Sequence, residues 1–395
     1  MDRYAAARIQ QFGTSVFSEM SRLSALHNAV NLGQGFPDFP GPDFVKEAAK
    51  RAIDANLNQY APSHGLPRLR KAIGDTCERA TGRAVDIDAE ITVTSGATEA
   101  IFDAIQSFLN PGDEIILFEP YYDSYVASAI IANAVPKYVT LQPPDWSFDL
   151  DELRAAFTPR TRLLMLNTPH NPTGKVFSRQ ELQTIAELCI EHDVIVLADE
   201  VYDRILFNGA EHVSIATLPG MWERTLTINS TGKTFSMTGW KIGYAIGSAS
   251  LNAALRAVHQ FVTFASQTPF QDAMAEALEL AATNGYYEQL AREYTVRRDL
   301  MNDALTGAGF SVLPSFGTYF LTIDGSEFGF ANDVELCHWL IIEAGVTSVP
   351  PSAFYADPAR APLLARFCFA KEHATIAEAA KRLNAAAPKL GQLVG

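Results

Sequence analysis

Cysteine is scarce: Cys77, Cys189, Cys337 and Cys368 are the only four in 395 residues, and no two stand close together. Such scatter excludes a zinc knuckle and argues against a disulfide framework, so a reducing cytoplasm is the simplest compartment. Basic charge is also in short supply, with 31 Lys and Arg against 45 Asp and Glu and a formal net charge of -14. A surface of that sign suits neither nucleic acid nor an anionic membrane, and any anionic substrate must be caught by locally placed cations. Long apolar runs are missing as well. Stretches such as "VIVLA" fall far short of a membrane span, and the opening "MDRYAAARIQQFG" carries acid and base but no apolar signal core. The expectation is a chain neither exported nor membrane-inserted. No internal repeat, charged tail or Ser/Gly linker interrupts it, which reads as one continuous compact protein.

What the chain does have is a composition for packing, with 48% hydrophobic and 19% charged residues. Its length allows two or three ordinary domains, or one large α/β unit with a smaller satellite. "EITVTS" (90–95) reads as a buried strand, and "TEAIFDAIQSFL" places Ile101, Phe102, Ile105, Phe108 and Leu109 on one helical stripe before "NPG" stops it. "DEIILFE" is the next strand. "RLLMLN" (162–167) and "VIVLAD" flank the helical "RQELQTIAELCIEH", which Ser178 and Glu181 open as a capping box. That is a βαβ unit and demands parallel strands. "TLTINS" and "KIGYAIG" add two more strands. The pattern predicts α/β architecture with a mostly parallel, helix-flanked sheet over 33–284. A smaller α+β layer then comes from 285–395, where "TYFLTI", "VTSVP" and "RFCFA" read as strands, with residues 1–32 packed against it.

Between two of the strands lies "STGKTFSMTGWK" (230–241). Its GKT suggests a P-loop, but a Walker A motif needs a leading glycine five residues before its GK pair, and position 227 is a threonine inside an apolar run. Lys233 needs another role. In open parallel sheets ligands sit at the carboxyl ends of strands, so the polar residues just past each strand are the ones to collect. These are Ser95, Gly96, Ala97 and Thr98 at a helix N-terminus suited to phosphate; Asn171 in "TPHNPTG"; Asp199 with Tyr202 three residues on; and Ser230 with Lys233. Taken singly, Asp199 could be a strand-end acid, Tyr202 a core-edge aromatic, Asn171 a turn residue and Lys241 a solvated lysine. Together, a phosphate site, buried acid, phenol, amide and lysine suit pyridoxal 5'-phosphate. The lysine forms a Schiff base with its aldehyde, and the acid keeps its ring nitrogen protonated. Lys241 would add positive charge at the phosphate.

"NPTG", "ADEVY" and "STGKTFSMTGWK" together resemble the fold type I, class I/II aminotransferases over nearly the whole chain. "NLGQGFPDFPGP", "NQYAPSHG", "SGATEA", "EPYYDSY", "NTPHNP", "GMWERTLTI" and "RFCFAK" are similar to the subgroup containing kynurenine aminotransferase, glutamine-phenylpyruvate transaminase and bacterial methionine aminotransferase. The resemblance implies an aspartate-aminotransferase-like fold and a ping-pong transaminase in which Lys233 is the Schiff-base lysine and proton shuttle and Asp199 the pyridinium partner. It implies that Asn171 and Tyr202 hold the ring oxygen, that Tyr122 stacks on the ring, and that Gly96, Ala97, Thr98, Ser230 and Lys241 form the phosphate cup. Tyr60 matches a tyrosine that reaches the neighbouring subunit's phosphate, which implies a homodimer. Arg366 matches the arginine that clamps the substrate carboxylate, with Asn171 and the Gly35 backbone beside it. Phe17, Tyr60 and Phe354 are candidates to line an aromatic substrate wall, although each also reads as plain core. No metal is called for.

Two positions depart from the wider pattern. Lys241 stands where arginine is frequent, so its phosphate contact should be single rather than forked. The stacking position is often Phe or Trp, whereas "EPYYDSY" offers Tyr121, Tyr122 and Tyr125, and motif position alone selects Tyr122. Two other activities share the scaffold: a cysteine-S-conjugate β-lyase and an N-succinyldiaminopimelate aminotransferase, the latter needing a further cation that no motif reveals. A regulator using the cofactor only as a sensor would need an added DNA-binding domain, for which this reading leaves no room.

Overall fold

The computed structural model describes residues 4–10, 12–13 and 15–392. Its largest element is an eight-stranded mixed sheet of β1 (Ile91–Ser95), β2 (Glu114–Glu119), β3 (Val135–Gln142), β4 (Ser147–Phe148), β5 (Thr161–Asn167), β6 (Ile195–Asp199), β7 (Thr225–Ser230) and β8 (Ile242–Gly247), in the order β1-β8-β7-β6-β5-β2-β3-β4. The pairs from β3 through β2, β5 and β6 to β7 are all parallel, while β8 runs antiparallel to both neighbours and β4 to β3. Helices cover both faces, which is why the central strands read as near-continuous apolar runs: every residue of β2 and β8 is buried.

The helix Arg179–Glu191 joins β5 to β6 and begins with the capping box Ser178/Glu181. It buries Leu182, Ile185, Ala186 and Cys189, spaced for one helical face. Burying each large aliphatic side chain of this kind is worth about 1.5–3 kcal/mol relative to exposure. On the helix Gly96–Phe108 the expected stripe is narrower than the periodicity suggested: Ile101 and Ile105 are buried, but Phe102 and Phe108 are only partly so. The carboxyl ends of β5, β6 and β7 lie side by side, with Asn167 opposite Asp199 in register. Because β8 is antiparallel, its first residues join the same edge, pairing Ser95 with Ile242 and Ser230 with Gly243.

A three-stranded antiparallel sheet follows, β9 (Ser311–Val312), β10 (Phe320–Asp324) and β11 (Leu364–Cys368), in chain order. Helices Tyr286–Gly307, Asp333–Ile342 and His373–Gly391 accompany it. The N-terminal region joins this layer through Val30–Asn31, which pairs in parallel with Val346–Thr347. The cysteines are unpaired in the fold. Among the described residues no helix is long and apolar enough to cross a membrane.

Candidate active site

Lys233 owes its place to the abrupt end of β7. Ser230 leaves the strand and its Oγ accepts the Gly232 N–H at 3.1 Å, starting the single helical turn Thr231–Thr234 that aims Lys233 back across the strand ends. The Lys233 Nζ donates to the Tyr319 hydroxyl at 2.7 Å, and that hydroxyl donates to the Gly35 carbonyl at 2.5 Å. Burial disfavours the ammonium and brings its pKa down to about 8, although Asp199 pulls the other way. The amine is thus close to shedding its proton at physiological pH. Tyr202 meets the Tyr319 ring edge-on at 5.1 Å, and burial holds its hydroxyl far above the ordinary range.

Asp199, the last residue of β6, is 4% exposed. Its Oδ2 accepts from the Tyr125 hydroxyl at 2.6 Å and its Oδ1 from the Val201 N–H at 3.3 Å. Burial pushes its pKa up to about 6, against the opposing pull of these donors and of Lys233, so the carboxylate is charged at neutral pH. Asn167, beside it in register, donates to the Asp199 carbonyl at 2.9 Å and accepts the Asn171 N–H at 2.7 Å. One amide therefore ties the acid's strand to the "NPTG" turn.

The three tyrosines of "EPYYDSY" separate by environment. Tyr121 packs away on Tyr138 at 5.6 Å, and Tyr125 is bound to Asp199. Tyr122 lines the cavity, lies edge-on to Tyr125 at 5.5 Å, and has its hydroxyl pushed up to about 12 by burial.

At the far end, Gly96, Ala97 and Thr98 begin the helix Gly96–Phe108 and line the same cavity. Gly96 has φ +79°, and a Cβ there would stand 3.0 Å from the Lys241 Cε and Nζ. Lys241 itself adopts the left-handed region at φ 55°, a conformation that costs a non-glycine residue about 1–2 kcal/mol. That backbone lays its ammonium over the helix N-terminus, where free N–H groups and the helix dipole already favour an anion. Beneath this helix end, Glu99 accepts from the Ser95 N–H and from His259 Nδ1, the latter at 2.9 Å, while His259 Nε2 donates to the Ser63 carbonyl at 2.7 Å. Burial disfavours the imidazolium, but hydrogen bonds to Asp103 and Glu99 outweigh it and push the His259 pKa up to about 10. The Glu99 charge is thereby matched, and it does not repel an anion above.

Arg366 completes the arrangement from β11. It is 2% exposed, donates from Nη2 to the Gly33 carbonyl and from Nη1 to the Asn171 Oδ1, both at 3.1 Å, and leaves Nε without a partner. Its guanidinium lies 4.1 Å over the Phe320 ring and 5.4 Å from both Phe17 and Phe354. Among the described residues no carboxylate pairs with it. A buried cation left so is costly and stands ready for an anionic ligand.

Every sequence-predicted site residue except Ser95, Tyr60 and Phe354 lines one cavity of about 290 Å³. Phe354 is buried behind Phe17 at 5.8 Å. Tyr60 is 83% exposed and touches Phe264 edge-on at 5.4 Å, away from the cavity of its own chain. Sequence reasoning missed Tyr319, Asn167 and His259, and named Tyr125 only as an alternative for the stacking place. Asn167 ends β5 and the rule of collecting strand-end polar groups could have found it; Tyr319 and His259 sit on elements with no such signal. Among the described residues Lys233, Lys241 and Arg366 face a single lining carboxylate, Asp199, in a chain whose net charge is -14. Cations at both ends with an amine and an acid between them fit pyridoxal phosphate carrying a carboxylate-bearing substrate.

Comparison with known proteins agrees. Residues 27–383 match the family model described as aminotransferase class I and II. The methionine aminotransferase of Escherichia coli (strain K12) is 42% identical, covering 96% of this chain and 97% of that protein. The kynurenine–oxoglutarate transaminase of Dictyostelium discoideum is also 42% identical, covering 93% of each. The solved structure of N-succinyldiaminopimelate aminotransferase from Mycobacterium tuberculosis superimposes with a TM-score of 0.92 at 43% identity, over 97% of this chain and all of that one (100%). With the aspartate-aminotransferase-like fold, the site and the family agreeing, the chain belongs to the class I and II aminotransferases and is a pyridoxal-phosphate-dependent transferase of amino groups.

Proposed function

We propose that the amino donor is an L-amino acid with an apolar or aromatic side chain, of the methionine, phenylalanine or kynurenine type, held by its carboxylate on Arg366. Glutamine belongs to the same proposed range, and the acceptor is a 2-oxo acid. One observation carries this reading: among the described residues Arg366 is the one guanidinium lining the cavity, it has no anionic partner, and it is walled by Phe320 and Phe17. Among the described residues the lining offers just two other cations, Lys233 and Lys241, both assigned to the cofactor, so none of them remains for the second carboxylate of a dicarboxylic substrate.

Bound pyridoxal phosphate supplies an aldehyde carbon to receive the amino group and a ring to take up an electron pair. The chain's residues do the rest. Lys233 would take the proton from the substrate Cα and deliver it to the aldehyde carbon that receives the amino group, Asp199 would hold a proton on the ring nitrogen, and Asn171 and Tyr202 would fix the ring oxygen. Tyr122 covers one ring face. Gly96, Ala97, Thr98, Ser230 and Lys241 hold the phosphate, and the Gly35 backbone closes over the substrate. Tyr60 is proposed to serve the site of a second copy in a homodimer, supported by its exposure beside Phe264, itself 46% exposed. The same reading divides the chain into a cofactor domain over 33–284 and a smaller domain from 1–32 and 285–395, with the cytoplasm as its compartment.

The test is a half-reaction. Holoenzyme is mixed, without keto acid, with methionine, phenylalanine, kynurenine, glutamine, glutamate, N-succinyldiaminopimelate or a cysteine S-conjugate, while cofactor absorbance and pyruvate are followed. Conversion to the pyridoxamine form with the apolar and aromatic set is expected. Conversion only with the dicarboxylates, or pyruvate release from the S-conjugate without that conversion, would sink the proposal. Arg366→Gln should raise KM for every amino acid about 100-fold, since loss of charged hydrogen bonds costs about 1.5–3 kcal/mol each; an unchanged KM removes Arg366 from the site.

A further inference from the structure

The carbonyl groups of four consecutive residues, Gly33, Gln34, Gly35 and Phe36, are all held by side chains from β11 or from the residues next to β10 and β11. Arg366 takes Gly33 at 3.1 Å and Tyr319 takes Gly35 at 2.5 Å. Lys371 takes the other two, its Nζ donating to Phe36 at 2.9 Å and to Gln34 at 3.3 Å. On the other side of the segment, Asn31 Oδ1 accepts the N–H groups of Gly33 and Gln34 at 3.1 and 3.2 Å. The N–H groups of Gly35 and Phe36 have no partner among the described residues.

Lys371 ends the stretch "RFCFAK", and nothing in the mechanism so far uses it. It is 3% exposed, and no carboxylate pairs with it among the described residues. Its ammonium stands 5.1 Å over the Phe36 ring, and its own carbonyl is fixed by Arg297 Nε at 3.0 Å. A buried ammonium satisfied by carbonyl oxygens alone is an expensive arrangement. Its position explains it. A trans peptide directs its N–H opposite to its C=O, so anchoring the Gln34 carbonyl on Lys371 turns the Gly35 N–H the other way. Gln34, Gly35 and Phe36 all line the cavity.

We propose that Lys371 is a positioning residue for substrate recognition: by gripping two carbonyls of the 33–36 segment it presents the Gly35 N–H to the carboxylate that Arg366 binds. This rests on the assignment of Arg366 to the substrate carboxylate. Tyr319 links the segment to the amine that moves the proton, because its hydroxyl bonds both Lys233 and Gly35.

The experiment compares wild-type, Lys371→Met and Lys371→Arg holoenzymes. It reads the dissociation constant of 3-phenylpropionate, a carboxylate with no amino group to react, alongside KM and kcat for phenylalanine and the affinity for pyridoxal phosphate. Lys371→Met is expected to weaken 3-phenylpropionate and raise KM about tenfold each, with kcat within about twofold and cofactor affinity unchanged. Lys371→Arg should restore most of the loss. If the Met variant does not fold, Lys371→Gln, which keeps a donor without the charge, should show the same split. Wild-type affinity for 3-phenylpropionate in a folded Met or Gln variant, or an equal loss of carboxylate and cofactor binding, overturns the inference. Failure of the wild type itself to bind 3-phenylpropionate in competition with phenylalanine overturns the Arg366 assignment first, and the role of Lys371 with it.

Discussion

Lys233→Ala is expected to lower transamination at least about 10⁴-fold, the combined loss of a covalent anchor for the cofactor and of the group that moves the Cα proton. The lysine is prepared for both. With its pKa brought down to about 8 by burial, a useful fraction is free amine near neutrality, and that fraction grows as pH rises through 8. The Tyr319 hydroxyl, donating onward to Gly35, keeps its lone pairs facing Nζ and fixes where the amine rests. Alanine removes a charged group from a buried place, so the variant should keep its fold and its melting temperature while losing turnover. Retention of more than a few per cent of wild-type rate would show that another group moves the proton.

Asp199→Asn separates chemistry from stability in a second way. Turnover should fall about 10³-fold, because an amide cannot hold a proton on the ring nitrogen by charge. Yet the amide oxygen can keep the Val201 N–H while the amide NH2 meets the Tyr125 hydroxyl, which can turn to accept, so the local structure is kept. The carboxylate, raised to about 6 from the ordinary 3.8 of an aspartate, carries a burial cost of roughly 3 kcal/mol at neutral pH in the cofactor-free protein. A raised acid pKa means that the native state takes up a proton more readily than the unfolded chain, so the cost is present above pH 6 and relieved as pH falls through it. Cofactor-free Asp199→Asn should therefore melt higher than wild type at pH 7.5, and the gap should narrow by pH 5. A variant that melts lower at pH 7.5 would mean that Asp199 is held by a counter-charge rather than merely buried.

Much of this was legible in the chain because parallel sheets announce themselves twice. Their strands are buried on both faces and so read as apolar runs, and their polar strand-end residues fall at predictable places. Asp199, Asn171, Ser230 and Lys233 all obey that rule, and the capping box at Ser178 marked its helix to the residue. Arg366 and Gly35 were accessible through resemblance alone, since they come from a separate sheet and an N-terminal segment whose approach to the strand ends no local pattern encodes. Tyr319 and His259 were not legible at all. A tyrosine ahead of an apolar strand and a histidine inside a helix both read as core, and only the long-range packing of 319 on 35 and of 259 on 99 and 63 gives them partners. Motif position selected Tyr122 from its neighbours, and no local pattern told that the turn after β2 sends Tyr125 to Asp199.

The pairing of Asn167 with Asp199 at the ends of β5 and β6 bears on which insertions and deletions this scaffold tolerates. Side chains alternate along a strand, so one residue gained or lost within β6 would swing the acid to the opposite face and put the wrong neighbour at the strand end. Chain length can drift freely in exposed connections, but inside these strands it can change only in steps that keep the parity of the last residue. Lineages of this fold should therefore differ in their loops while the count of residues from strand interior to catalytic edge stays fixed.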